Sequence, residues 1–182
     1  MNNVGFPIHL AVTFQLLGRL GEATRMAEEG LRRARESNHL FSLTYALVMR
    51  ARLHRYRREL EAARTWSEQG MALAEENGFP WWLEFGRLTH AWALAELGQV
   101  DQAIAEQVAA LAEAQLHGLA TRETERAQLA YCYALSHRTG EALSLLNDVL
   151  AQIERTGEKM SQAEIIRLKG EVLLMHDTTS AA

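Results

Sequence analysis

The stretch LGQVDQA (97–103) has counterparts at LGRLGEA (17–23), RRELEAA (57–63) and HRTGEA (137–142), about forty residues apart. Each has the character of a tight turn between two helices, and the rest of the chain keeps the same register. Small residues recur at Ala11, Ala51, Ala91, Ala130 and Gly170. A second set falls twelve positions on, at Ala23, Ala63, Ala103 and Ala142. A third comprises Gly30, Gly70, Ala110 and Val149, followed by Leu31, Met71, Leu111 and Leu150. The fourth is Asn38, Gly78, Gly118 and Gly157. Sets one and two place a small side chain on each of two helices whose backbones approach closely. Ala103, Ala110, Leu111 and Ala114 follow the i, i+7, i+8, i+11 stripe of an amphipathic helix. Glycine and asparagine tolerate the left-handed conformation that ends a helix, so the fourth set reads as stop signals.

The register predicts helix pairs at about 7–18 with 21–37, 40–57 with 60–76, 80–97 with 100–117, and 120–137 with 140–156. Repeats then span about 7–38, 40–78, 80–118 and 120–157, with a capping helix at about 160–175 and a frayed end at HDTTSAA. Pro80 suits a helix start, where its missing N–H costs little. The expected architecture is all-α: a right-handed helical solenoid forming a single repeat domain over residues 1–182.

Composition agrees with this reading. Alanine and leucine fill 55 of 182 positions and valine and isoleucine only 12, an excess of helix formers over β-branched residues. The charged fraction of 23% and two prolines argue against disorder. No apolar run approaches the ~18 residues of a membrane span. The start, MNNVGFPIHL, lacks the cationic and apolar regions of a secretory signal. Cys132 is the sole cysteine and cannot form an internal disulfide, so a cytoplasmic location is expected. Net charge is −4, unevenly spread: residues 19–64 carry 11 bases and 6 acids, residues 65–182 carry 8 bases and 17 acids. That polarity can orient a partner or a second copy of the chain.

At LGQVDQAIAE (97–106) and TGEALSLL (139–146) the sequence resembles tetratricopeptide (TPR) repeats, in a long variant of about 40 residues. Longer stretches are FSLTYALVMRARLHRYRRELEAA (41–63), AEENGFPWWLEFG (74–86) with WALAELGQ (92–99), and IERTGEKMSQAEIIRLKGEVLL (153–174). They resemble the C-terminal repeats of bacterial signalling proteins that carry a class III adenylate/guanylate cyclase domain and an AAA-like ATPase domain. The chain has no glycine-rich phosphate loop and no strand-bearing region for cyclase metal ligands, so the resemblance implies a regulatory or interaction segment.

By that resemblance the first helix of each repeat lines a concave face that binds peptides or partner domains. Stripes at helical spacing place Tyr45, Val48, Arg52, Arg55 and Tyr56 there, then Phe85, Leu88, Trp92 and Glu96, then Tyr131 with Thr124, Ala127 and Leu135. Aromatic rings supply area and arginine grips carboxylates. The competing reading packs Phe85, Leu88 and Trp92 between helices.

Arg50, Arg52, Arg55, Arg57 and Arg58 surround His54, which invites a nucleic-acid surface. Helical spacing spreads them around the helix, and Glu59 and Glu61 are near enough to pair with some of them, so nucleic acid is disfavoured. The seven histidines form no metal-ligand spacing; His137 and Glu141 make a weak pair across a turn. Cys132 reads as a buried small residue, and Trp81–Trp82 as packing that sets the angle between repeats two and three, with an exposed partner-binding patch as the alternative.

The resulting expectation is a non-catalytic scaffold for a protein or peptide, without cofactor, metal or membrane. It acts as the regulatory or sensing region of a cyclase/ATPase signalling protein, or as a detached relative. The alternatives are the repeat region of an ATPase-type helix-turn-helix transcription activator and a homo-oligomerisation module.

Overall fold

The structure is a computed structural model describing residues 4–116, 123–157, 159 and 161–180. Among these, the chain forms α1 (Gly5–Leu16), α2 (Leu20–Glu36), α3 (Leu40–Tyr56), α4 (Leu60–Glu76) and α5 (Pro80–Glu96). It continues with α6 (Val100–Leu116), α7 (Glu123–Leu135), α8 (Thr139–Thr156) and α9 (Gln162–Ser180). The described residues contain no strand. The expected helices are all present. The stop expected at Gly118 and the start of the seventh helix at 120 lie outside the described residues.

Each described turn within a pair closes in one way. Gly18, Arg58, Gly98 and His137 end the first helix of their pairs with φ of 73°, 57°, 85° and 62°. The next amide in each turn donates five residues back: Arg19 to Phe14, Glu59 to His54, Gln99 to Leu94 and Arg138 to Tyr133, at 2.8–3.0 Å. This left-handed closure satisfies carbonyls that the helix end would leave bare. Arg58 and His137 carry a Cβ into it at a cost of roughly 1–2 kcal/mol each. Between pairs, Asn38, Gly78 and Gly157 adopt the same conformation, as their spacing predicts.

The chain divides within α5 into two compact units, Met1–Ala93 and Leu94–Ala182. In the first, α1 meets α2 and α3 meets α4 at glycines. A Cβ on Gly30 would stand 2.5 Å from Ile8 Cγ1, and one on Gly70 would stand 2.7 Å from Val48 Cγ2. Neither glycine can carry a side chain unless its partner gives way. In the second unit α7, α8 and α9 share a core of Ala127, Ala130, Leu146, Val149, Ile153, Ile165, Leu168 and Val172. Here the volumes exchange. Ala127 stands in the register position of Ile8 and Val48, and Val149 in that of the two glycines, both within this core.

The eight alanines of the first two small-residue sets have no exposed surface. Gly170 departs from the expectation: it is exposed, and the space a Cβ would occupy is open. Among the described residues no second helix follows α9 to press on it. The expected fraying at HDTTSAA is also corrected, since α9 runs to Ser180. His176 Nδ1 lies 2.8 Å from Thr139 Oγ1 and ties that end to α8.

Two stability predictions follow from this packing. Gly70→Val should destabilise the protein by about 1–3 kcal/mol through overpacking. Adding Val48→Ala, which copies the arrangement of the fourth pair, should restore part of that loss in urea unfolding; equal or additive losses would contradict the contact. Ile165→Ala should lower stability by about 2–5 kcal/mol, because α9 covers the α7–α8 core with this fully buried side chain. An unchanged urea midpoint would contradict that role.

Candidate functional site

Most of the expected surface belongs to the first unit. Tyr45 sits one turn into α3 and is half-buried; its Oη lies 3.0 Å from His9 Nδ1. Burial pushes its phenol from 10.0 up to about 12. The ring is 4.9 Å from that of Trp82, which also meets Phe41 at 5.7 Å and Phe85 at 6.2 Å. Phe85 stacks on Trp81 at 5.5 Å, and Phe41 meets Phe79 edge-on at 5.3 Å. A continuous run of rings thus joins α1, α3 and α5. Its outer members remain in water: Phe41 is 45% and Trp81 38% exposed.

Further along α3, Arg52 Nε donates to Tyr56 Oη at 3.0 Å, with its guanidinium 5.5 Å from that ring's centre. Tyr56 is 40% exposed. Arg55 stands 5.8 Å over Trp92. The other expected residues are placed differently. Val48 is buried against Gly70, and Leu88 and Trp92 are buried too, Trp92 with Leu60, Ala63 and Ala93. Their surface is already committed to packing, so they offer a partner little area. Glu96 and Tyr131 belong to the second unit, where both are part-buried and Tyr131 packs on the α7–α8–α9 core.

Helical spacing does not bring Phe41, Phe79 and His9 into this run of rings, and it favours packing for Trp81–Trp82. The forty-residue register held a signal, since it sets Phe41 over Trp81 and Tyr45 over Phe85. His9 stands 36 residues before Tyr45, off that register, so only the packing of α1 on α3 reveals it.

The arginine cluster is spread around its helix as expected, and its members engage different neighbours. Arg57 donates to Gln15 Oε1 at 2.9 Å, Thr24 Oγ1 at 2.8 Å and the Leu20 carbonyl at 3.2 Å. Glu59 pairs with His54 and Glu61 with Arg64. In the second unit Glu141 pairs with Arg138, while His137 is exposed at its turn. Cys132 is buried, its Sγ 3.5 Å from Gln107 Oε1. Among the described residues no three His, Cys, Asp or Glu side chains are grouped to hold a metal. Nor is any described helix long and apolar enough to cross a membrane.

These helices define an all-α repeat fold of the TPR-like class, and solved structures match it over the whole chain. Nearly identical TPR-like repeats ascribed to a kinesin light chain of Podosopora anserina superpose with a TM-score of 0.62 at 17% identity, covering 100% of this chain and 98% of theirs. A single-substitution variant of those repeats gives the same figures. No family profile matches the chain, and no curated protein matches its sequence.

Tyr45 offers a direct check on the ring cluster. Its folded pKa lies above its unfolded value, so its contribution to stability is full below pH 10.0 and is lost as pH rises through about 12. Ultraviolet titration should resolve one component near pH 12 that Tyr45→Phe removes. Four tyrosines ionising together in the wild type would contradict the burial.

Proposed function

We propose that the chain is a non-catalytic scaffold that binds a protein or peptide through the α3–α5 face of its first unit. The observation that carries this reading is a stripe that exposes Phe41 and Trp81 at one end and Tyr56, with Arg52 lying against it, about 22 Å along α3 at the other. Aromatic residues with arginine dominate the energetics of protein interfaces. The TPR-like fold supports the same reading, since stacked helix pairs present preformed extended surfaces. Tyr45 and Phe85 form the floor of the face, and Arg55 lies at its end over Trp92.

In this proposal residues 1–182 work as one repeat domain in the cytoplasm. They serve as the regulatory region of a cyclase/ATPase signalling protein or as a detached relative of one. That assignment is supported by the sequence resemblance at 41–63, 74–86 and 153–174.

Capture from lysate of the native host, with the wild type beside Arg52→Glu/Tyr56→Ala, tests the face. The variant should keep its fold, because both side chains reach solvent. A purified partner should lose at least about 2 kcal/mol of affinity for it, the loss typical of an interface hot spot. Equal binding by both proteins would refute the proposed face.

A further inference from the structure

A second site lies on another side of α3. Arg50 is about 160° around the helix from Arg52. It opens onto a cleft of about 350 Å³ lined by Glu28, Leu31, Arg32, Arg35, Glu36 and Arg50. The arginines of this cleft are in different states. Arg32 is saturated, holding Glu29 at 2.7 Å and Glu36 at 2.7 Å. Arg35 makes no ion pair among the described residues. Arg50 has its guanidinium 4.5 Å from the centre of the Trp66 ring, and its Nε is buried with no hydrogen-bond partner. Burial pulls its pKa below the usual arginine value; Glu28 offsets this in part, and Arg35 and Arg57 add to it. No hydrogen bond joins Glu28 to Arg50 among the described residues.

With Nε sealed from solvent, the Arg50 guanidinium offers the cleft its two Nη groups; held against an indole, that end is preorganised for an oxyanion that accepts two parallel N–H bonds. Arg35 adds charge at the same cleft, and Leu31, committed to the core, offers it little area. Glu28 and Glu36 in the same lining oppose a dianion. The volume falls at the small end of the ~300–1,000 Å³ typical of ligand pockets. We propose that this cleft binds a small organic monocarboxylate, its carboxylate on the Arg50 Nη groups beside Arg35. The site is independent of the α3–α5 face and stands if that face proves inactive.

The test is a titration of the full chain with phenylacetate, with phenylacetamide and with inorganic phosphate, each followed by ¹H–¹⁵N spectra of the Trp66 indole and the Arg50 Nε–H. Phenylacetate should give saturable shifts at both positions, and the uncharged amide none. R50K keeps the charge but lacks the fork, so it should weaken binding about tenfold. R35Q should weaken it about threefold by removing the second charge, and R52Q should leave it unchanged. Arg35 is exposed, so R35Q decides the question should R50K fail to fold. Overturning outcomes are no saturable shift with phenylacetate, equal binding of the amide, tighter binding of phosphate, or affinity indifferent to both R35Q and R50K.

Discussion

The closeness of two helices at one point in each pair is the constraint on which the first unit depends. Ile8 occupies the space over Gly30, and Val48 the space over Gly70, so α1 and α3 approach their partners to a distance that no Cβ permits. Packing density inside proteins leaves no slack for an extra methyl group at such a crossing. The fourth pair meets the same requirement with the volumes reversed, Ala127 for the large residue and Val149 for the glycine. In each of these three pairs one helix carries the larger residue at this position and its partner the smaller.

That crossing also decides which part of α3 remains at the surface. Val48 lies at the edge of the stripe that carries Tyr45, Arg52 and Tyr56, and it is taken by α4. The stripe is left with aromatic rings at one end and an arginine–tyrosine pair at the other. Sequence alone marks five arginines here as one cluster, yet each of four has its own neighbour: Arg50 on Trp66, Arg52 on Tyr56, Arg55 on Trp92, and Arg57 on Gln15 and Thr24. Stacking on rings and bonding to neutral oxygens fix the direction of these guanidinium groups. The cluster thus becomes several differently oriented cations, which is poor geometry for a nucleic-acid backbone and good geometry for separate, small contacts.

The forty-residue register made the helices, their turns and the small residues at their crossings legible, because each is a local or nearest-neighbour requirement. Alanine at positions 11, 51 and 91 could be read as buried from spacing alone, and it is. Gly170 could not, since its register position is the same but its surroundings differ. The proposed binding surface was half legible. Tyr45, Arg52, Tyr56 and Phe85 follow from helical spacing, whereas burial of Val48, Leu88 and Trp92 and the entry of His9 and Phe41 depend on which helix lies opposite.

The sequence by itself determined an all-α chain of paired helices, because periodicity, turn chemistry and composition are properties of neighbours along the chain and of its repeat. Only the tertiary structure decided which side chains of a stripe face water, where the aromatic rings meet, and that Arg50 is left with a buried N–H and no acceptor. Those outcomes turn on distances between helices set by volumes from different parts of the chain. No single stretch encodes such a distance, so it exists only once the helices are packed.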